Sequence, residues 1–280
     1  MNSYVNFNGS LIRSDKPVVT ADNRGLRYGD GFFETIKVMN NKIALAGYHF
    51  ERLFASIKLL QFDQPVFFTE EQISDQVLEL CKKNNHQQSA RVRLMVFRGE
   101  GGLYDPKNHF PNYIIQSWAL ENNKNQLNVN GLVTAVFPDG RKACDSFSNL
   151  KSNNFLLYAM AALYAKKNQV NDCMVLNTHE RICETTIANI FCIKDMIIST
   201  PPLAEGCVAG VMRRYLLNAL PDAGYMVIEK PLSVEDVQDA DEVFLSNAIR
   251  GIHWVQRFGD IQYRNEQTAS IYDAVIKNLS

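Results

Sequence analysis

The chain has 280 residues, of which 46% are hydrophobic and 21% charged, a composition typical of globular rather than disordered proteins. Its 29 basic and 30 acidic residues give a formal charge of −1, so net charge does not favour nucleic acid or an anionic membrane as a partner. Six scattered cysteines, no signal-peptide pattern and no apolar run of membrane-spanning length predict a cytoplasmic protein.

The first 120 residues predict an α/β domain that begins with hairpins. Asn8-Gly9 and Asn40-Asn41 each separate two β-rich arms, which is the pattern of a tight hairpin. Apolar residues at helical spacing follow from 48 to 60, and Thr69 with Gln72 forms a capping box for a second helix. Two strands come next, in the segments ARVRLMVFRG and PNYIIQSWAL.

Residues 121–128, ENNKNQLN, are polar and predict a linker, and residues 129–280 predict a second domain. Strands and helices alternate there without a strict βαβ order, which favours an α+β protein of two domains. Ser233 and Asp236 form a second capping box. The stretch 155–163 is apolar all round, which predicts a helix buried in the interior.

Several motifs that would identify a reaction are missing from this sequence. It contains no P-loop, no G-x-G-x-x-G, no G-x-S-x-G and no H-E-x-x-H. The five histidines have no spacing typical of metal ligands, so no metal site is predicted.

Two side chains and their surroundings suggest chemistry at a bound carbonyl compound. Lys151 lies between a small polar run and the apolar stretch. In an apolar pocket its amine would lose hydration and become a nucleophile, although its stem could also lie along the helix with the ammonium in water. Glu184 follows an apolar segment, and it is either an exposed turn residue or a partner for a protonated ring nitrogen.

Two further features suggest an anion site. Gly210, followed by Val211 and Met212, begins a helix whose first amides would point outward, either towards an anion or towards water. His49 and Arg52 share one helical face, where Arg52 could bind a phosphate or remain solvated. An arginine, a helix N-terminus, a carboxylate and a lysine together form a set that would hold pyridoxal phosphate.

Six ordered segments carry a family resemblance: DNRGLRYGDGFFETIKV, HFERL, LKSNNFLL, ETTIANIF, AGVMRRYLL and ADEVFLSNAIRGIHWV. They resemble the class IV, or fold type IV, pyridoxal-phosphate aminotransferases. That family includes branched-chain and D-amino-acid aminotransferases and aminodeoxychorismate lyase. The resemblance implies a smaller N-terminal α/β domain, a larger C-terminal domain with a barrel-like sheet, and a homodimer with shared active sites.

The resemblance also implies roles for individual residues. Lys151 would bind the aldehyde of pyridoxal phosphate, and Glu184 would hold its ring nitrogen. The remaining cofactor-binding positions that it implies are Arg52, Asn189, the amides of Val211 and Met212, and Ser246 with Asn247 of the late strand. A cofactor-free relative would have lost Lys151, Glu184 or Arg52, and all three are present.

The choice of reaction depends on fewer residues. Asn247-Ala248 and the segments FRGEGG and YGDGFFET resemble aminodeoxychorismate lyase, which predicts release of pyruvate and 4-aminobenzoate in folate biosynthesis. The alternative is transamination of D- or branched-chain amino acids with 2-oxoglutarate, because DPKNHFP resembles a D-amino-acid aminotransferase loop that binds the substrate carboxylate. The absence of a G-T-A tripeptide disfavours the branched-chain type. The candidate substrate-binding residues are Phe33, Arg91, Arg93, Lys107 and His109, with Arg98 as a further cation.

Overall fold

The computed structural model describes residues 3–121, 126–277 and 279, and these divide into two compact units. The first unit contains the described residues up to 121 together with 151–154. The second contains the described residues of 126–150 and of the chain beyond 154. Positions 122–125 of the expected linker lie outside the described residues.

The first unit is built on an antiparallel sheet with helices. The described strands are β1 (Tyr4–Phe7), β2 (Ser10–Arg13), β3 (Gly31–Met39), β4 (Lys42–Ile43), β5 (Ser89–Arg98) and β6 (Pro111–Ala119). They hydrogen-bond in the order β2-β1-β6-β5-β3-β4. The described helices are α1 (Arg24–Tyr28), α2 (Ala46–Leu59) and α3 (Glu70–Lys83).

Both predicted hairpins form at the expected residues. Asn8 and Gly9 have φ of 50° and 88°, and Asn40 and Asn41 have φ of 48° and 59°. Asparagine and glycine tolerate this left-handed region, which two-residue hairpin turns require. The Thr69 hydroxyl caps α3 by accepting a hydrogen bond from Gln72 N at 3.3 Å.

Helices α2 and α3 cover one face of this sheet. Phe32 and Leu94 on the strands are fully buried with Phe50 and Leu53 of α2 and Val77 of α3. Because side chains alternate between the faces of a strand, the odd-numbered residues of β3 and β5 lie on the opposite face. The two faces of the sheet therefore differ: one packs against the helices, and the other carries Phe33 and Arg93, which are only partly buried.

Glu34 places a charge among these packed residues and ties α2 to β3. Its carboxylate accepts hydrogen bonds from Arg52 Nε at 2.7 Å and Arg52 Nη2 at 2.6 Å, and His49 Nδ1 lies 2.7 Å from Oε2. Burial on its own raises the pKa of this carboxyl. The charge of Arg52 and the hydrogen bonds from His49 and Arg52 outweigh that effect and lower the pKa to about 2.

The second unit contains a larger mixed sheet. Its described strands are β7 (Leu132–Lys142), β8 (Asp172–Asn177), β9 (Ile182–Thr185), β10 (Asn189–Lys194), β11 (Ile197–Thr200), β12 (Met226–Glu229), β13 (Glu242–Asn247), β14 (Gly251–Phe258) and β15 (Ile261–Gln262). The order is β12-β11-β10-β13-β14-β7-β8-β9, with β15 beside β14. The described helices are α4 (Leu156–Lys167), α5 (Val211–Asp222), α6 (Val234–Gln238) and α7 (Glu266–Ile271), which continues as a π-helical turn (Tyr272–Ile276).

This sheet curls back on itself. β9 lies at one edge and β10 lies third from the other edge, yet a tight turn joins them, closed by the bond from Thr185 N to the Ala188 carbonyl at 2.8 Å. Only a curled sheet can bring two such strands together. The α+β class and the barrel-like sheet of the larger unit are confirmed.

Helix α4 forms as predicted, but it is not buried all round. Its inward face is formed by Leu157, Tyr158, Ala161, Tyr164 and Ala165. Leu156, Met160 and Leu163 on the other face are 69%, 47% and 60% exposed. The prediction of a fully interior helix is wrong because the strands offer α4 a packing surface on one side only. Within the described ranges, no helix has both the length and the hydrophobicity to cross a membrane.

We expect Glu34→Gln to lower the free energy of unfolding at pH 7 by about 3 kcal/mol, because it leaves Arg52 without its buried counter-charge. The folded pKa is depressed from its ordinary 4.5, so the stability due to ionised Glu34 is fully present above pH 4.5. It is lost as the pH falls through the folded pKa of about 2. Urea unfolding across this pH range measures the difference between the variant and the wild-type protein.

The matched control is Glu79→Gln, the same chemical change at an exposed position of α3. It is expected to shift the urea midpoint little at any pH. An equal effect of the two substitutions would contradict the role assigned to Glu34.

Candidate active site

Lys151 lies in a short segment that extends the sheet of the first unit. Phe33 N donates to the Lys151 carbonyl at 2.9 Å, and Asn153 N donates to the Gly31 carbonyl at 3.0 Å. β4 pairs only with the far end of β3, so the edge of β3 is open to the segment here. Main-chain hydrogen bonds to β3 therefore position Lys151 before α4 begins.

The Phe33 ring lies next to two cations. Lys151 Nζ is 4.9 Å from the ring centroid, and Arg93 Cζ is 4.1 Å from it. A phenyl face attracts a cation at such distances, so the ring orients both side chains. Burial, and to a smaller extent the charge of Arg91, lowers the pKa of Arg93. A nearby anion would stabilise the charge of a guanidinium that has lost part of its hydration. The structure thus brings together Lys151, Phe33 and Arg93.

Arg91 lies on the same sheet face but is turned away from Phe33. Its guanidinium lies 5.4 Å from the Trp118 ring, and its side chain is exposed. Of the two arginines predicted for the substrate, Arg93 is the one placed beside Lys151.

The loop between β5 and β6 carries the other two substrate candidates. Lys107 is exposed, and His109 is partly buried with its Nδ1 3.4 Å from Arg98 Nη1. Arg98 is itself buried, and its guanidinium donates to Asp30 and to the Leu60 carbonyl. Arg98 is therefore a structural cation, whereas Lys107 is accessible to a ligand.

Arg52, predicted to bind the cofactor phosphate, is 12% exposed and paired with Glu34. A phosphate bound by this arginine would meet a guanidinium whose orientation the buried carboxylate already fixes. The sequence pattern placed His49 and Arg52 on one helical face, but it did not show that Glu34 joins them.

In the second unit, Glu184 projects from β9 and is almost fully buried. Its Oε2 accepts a hydrogen bond from Val208 N at 2.9 Å, and its Oε1 accepts one from the Tyr158 hydroxyl at 2.6 Å. The Lys142 ammonium also contacts Oε1 and lies 2.5 Å from the Tyr158 hydroxyl. Burial, followed by the charge of Glu184, raises the pKa of Tyr158, so this hydroxyl stays protonated and acts as a donor.

Lys142 and Tyr158 were not predicted from the sequence. Tyr158 lies on the inward face of α4, and a buried tyrosine hydroxyl needs a hydrogen-bond partner, so a helical-face plot could have drawn attention to it. Lys142 gave no comparable signal, because its position beside Glu184 depends on the pairing of β7 with β8 and of β8 with β9.

Asn189 holds the loop that leads into α5. Its Nδ2 donates to the Val208 carbonyl at 3.0 Å. A Cβ atom at Gly210 would lie 1.9 Å from Asn189 Oδ1, so only glycine fits there. The glycine before the helix is thus explained by the close approach of Asn189.

Helix α5 begins at Val211 with no side-chain cap among the described residues, so the amides of Val211 and Met212 are directed out of its N-terminus. The helix packs on β13, where Ser246 pairs with Asn189 of β10. The Ser246 hydroxyl is buried and has no hydrogen-bond partner in the described part of the protein.

Asn247 follows Ser246 but has a different role. Its Oδ1 accepts hydrogen bonds from Ile249 N at 3.1 Å and Arg250 N at 2.9 Å. This side chain therefore shapes the turn between β13 and β14, and any contact with a cofactor would come from the turn itself. No group of three potential metal ligands occurs among the described residues.

Comparison with known proteins places these residues in a family. A profile of amino-transferase class IV proteins matches residues 31–258. A putative branched-chain-amino-acid aminotransferase of Methanocaldococcus jannaschii is 28% identical over 268 residues, which is 95% of this chain and 91% of the relative. An aminodeoxychorismate lyase of Vibrio harveyi is 30% identical over 236 residues, 84% of this chain and 85% of the relative.

A solved structure shares the fold. The crystal structure of the branched-chain amino acid aminotransferase of Escherichia coli superposes with a TM-score of 0.88 at 24% identity, covering 100% of this chain and 95% of that one. With a family profile matched over most of its length, this chain belongs to the class IV aminotransferases.

Proposed function

We propose that this protein is a pyridoxal-phosphate-dependent aminotransferase of the branched-chain type, with an amino acid as the amino donor. The observation that carries the proposal is the pair of cations on Phe33, Lys151 Nζ at 4.9 Å and Arg93 Cζ at 4.1 Å. An amino acid offers an amine and a carboxylate on one carbon, so it suits a site with a nucleophilic amine close to a guanidinium.

Members of this family bind pyridoxal phosphate. Two observations in the second unit support a phosphate near the start of α5. The first amides of the helix carry no side-chain cap, and the buried Ser246 hydroxyl has no partner in the described ranges. Helix N-terminal amides and a hydroxyl are donors suited to a phosphate, so these residues fit the group.

When bound, pyridoxal phosphate supplies an aldehyde that condenses with amines and a ring that accepts an electron pair from the substrate carbon. Lys151 would hold the aldehyde and then carry the proton that leaves the substrate α-carbon. Glu184 would hold a proton at the ring nitrogen. Its carboxylate is oriented for this by Val208 N and the Tyr158 hydroxyl. Arg52 would add a positive charge at the phosphate.

Arg93 is the residue that we assign to the substrate carboxylate. It is half-buried and lies on the same ring as the Lys151 amine, whereas Arg91 lies on Trp118. Lys107 and His109 are additional groups for this carboxylate, and the 99–110 loop carries both.

Two named relatives support transamination of branched-chain amino acids better than the lyase reaction that the sequence motifs favoured. The lyase remains the second candidate because of Asn247-Ala248 and the Vibrio harveyi relative. In that reaction the protein would release pyruvate and 4-aminobenzoate from aminodeoxychorismate without an amino acceptor.

We also propose that the protein forms a homodimer. The outward face of α4 supports this, because Leu156, Met160 and Leu163 present a contiguous apolar stripe at helical spacing. An exposed stripe of this kind is typical of a protein interface.

To test the dimer, we expect Met160→Lys to convert a species of twice the chain mass into one of the chain mass, because the substitution places a charge in the apolar contact. Multi-angle light scattering after size exclusion measures the mass. The matched control is Met196→Lys, which changes an exposed methionine in the turn between β10 and β11 and should leave the mass unchanged. A wild-type protein of single-chain mass would contradict the dimer.

Replacement of Lys151 tests the cofactor site. Lys151→Ala should abolish the visible absorption that wild-type protein shows when it is reconstituted with pyridoxal phosphate, because the variant lacks the amine that bonds to the aldehyde. Lys166→Ala, an exposed lysine on α4, should keep the absorption. If the Lys151 variant kept the absorption, the assignment of this lysine would be wrong.

A substrate panel tests the reaction. We expect glutamate to form from 2-oxoglutarate with branched-chain amino acids, each supplied separately as the L- and the D-enantiomer. Aminodeoxychorismate without an acceptor should give no pyruvate. Pyruvate and 4-aminobenzoate from that substrate, with no glutamate from any amino acid, would replace the proposed function with the lyase.

The same assay distinguishes the two arginines on the open sheet face. Arg93→Gln should raise the KM for the amino acid by at least about tenfold, because about one charge-assisted hydrogen bond to the substrate carboxylate is lost. Arg91→Gln should change it by less than about twofold. Equal effects of the two substitutions would remove Arg93 from the carboxylate site.

A further inference from the structure

The 99–110 loop, which joins β5 to β6 and carries Lys107 and His109, is not held in place by burial of apolar side chains. Leu103 and Tyr104 are 63% and 82% exposed, and Phe110 is also exposed. A cavity of about 390 Å³ lies against its two ends and is lined in part by Gly99 and Asn108. Apart from the contact of the Tyr104 ring with Tyr28, 5.7 Å between centroids, the conformation of this loop therefore depends on a polar interaction.

That interaction is a buried guanidinium from a distant part of the sequence. Arg24 of α1 is 4% exposed. Its Nη1 donates to the carbonyls of Leu103 at 2.6 Å, Gly101 at 3.2 Å and Gly102 at 3.5 Å, and its Nη2 donates to the Tyr104 carbonyl at 3.3 Å. One side chain thus bonds to the carbonyls of four consecutive loop residues.

Asp30 binds the guanidinium of Arg24 and also that of Arg98. Arg24 Nε donates to Asp30 Oδ2 at 2.8 Å, and Arg98 Nε lies 3.2 Å from both oxygens of the same carboxylate. Arg98 reaches the second half of the loop, where its Nη1 is 3.4 Å from His109 Nδ1. Asp63 N also donates to the His109 carbonyl, at 3.0 Å. The two arginines on one aspartate therefore contact both halves of the loop.

The contacts to Arg24 require the geometry of arginine. A guanidinium has five donors in one plane, so it can bond to a carboxylate with one edge and to several carbonyls with the other. A lysine ammonium is a single point of charge that cannot reach the carboxylate and all four carbonyls. The loop backbone in turn requires glycine at position 102. Gly102 has φ of +76°, and a Cβ there would lie 1.9 Å from the Asp105 carbonyl oxygen.

We propose that Arg24 is a positioning residue that holds the 99–110 loop in the conformation in which Lys107 and His109 meet the carboxylate of the substrate. This inference rests on the proposed function, since it takes both residues as carboxylate-binding groups. Arg24 would act through the loop backbone, without touching the substrate.

The chain contains a matched control for this arginine. Arg24 and Arg27 lie on the same helix, and the Cζ of each is 5.1 Å from the Tyr28 ring centroid. Arg27 is 43% exposed and pairs with the exposed Asp22 at 3.5 Å, instead of with the loop. Arg24→Gln and Arg27→Gln thus make the same chemical change beside the same ring, and only the first removes the loop contacts.

Two measurements on the cofactor-loaded protein test the proposal. Hydrogen exchange followed by mass spectrometry should show the peptide spanning 99–110 exchanging at least about tenfold faster in Arg24→Gln, with no change in Arg27→Gln. Steady-state kinetics should show the KM for the amino acid raised by at least about tenfold in Arg24→Gln, with kcat within about twofold of wild type. Arg24→Lys should lie between the wild type and Arg24→Gln in both measurements. If Arg24→Gln does not fold, Arg24→Lys is the variant compared with the wild type.

The outcomes separate this inference from the proposed function. Faster loop exchange with an unchanged KM would overturn the positioning role while transamination stands. Unchanged loop exchange, or a fall in kcat and in cofactor absorption together with the rise in KM, would also overturn it. A wild-type protein without transaminase activity would refute the proposed function, yet the exchange experiment would still report whether Arg24 holds the loop.

Discussion

Buried and partly buried carboxylates that collect donors from several segments are the interaction on which this structure depends. Glu34 joins β3 to α2, Asp30 joins α1 to β5, and Glu184 joins β9 to β7, α4 and the loop before α5. A buried charge is costly unless it is fully paired, so each of these carboxylates restricts the positions of all its partners. The hydrophobic clusters give each unit its stability, and the carboxylates give the side chains near the predicted site their orientation.

The two faces of the first sheet show how packing and chemistry are divided. Even-numbered residues of β3 pack against α2 and α3, and the odd-numbered Phe33 lies on the open face with Arg93 and Lys151. The period of two in a strand alone produces this division. Glu34 is the exception, since it is a charged residue on the packed face. It is tolerated there because the charge of Arg52 compensates its own and because Arg52 and His49 hydrogen-bond to it. The same residue therefore stabilises the core and orients the arginine predicted for the phosphate.

Glycine marks the places where the backbone of one segment approaches another closely. Gly210 lies against Asn189 at the start of α5, and Gly102 lies against Asp105 in the 99–110 loop. Both positions adjoin groups that we assign to ligands, the helix amides in the second unit and Lys107 in the first. Absence of a side chain is what lets the main chain present its own amides and carbonyls there.

The sequence alone determined those features whose cause is local. Both hairpins follow from Asn8-Gly9 and Asn40-Asn41, and α3 and α6 begin at the capping residues Thr69 and Ser233. The α+β class and the family followed from strand and helix patterns and from six ordered segments. Only the tertiary structure decided the rest, because the causes lie far apart in the chain. It exposed one face of α4, placed Lys142 and Tyr158 beside Glu184, and paired Arg52 with Glu34. It also distinguished Arg93, which lies on the Phe33 ring, from Arg98, which donates to the partly buried Asp30. Spacing along a chain shows which face of an element a residue occupies, but the partner on that face comes from another element, and only the folded chain brings the two together.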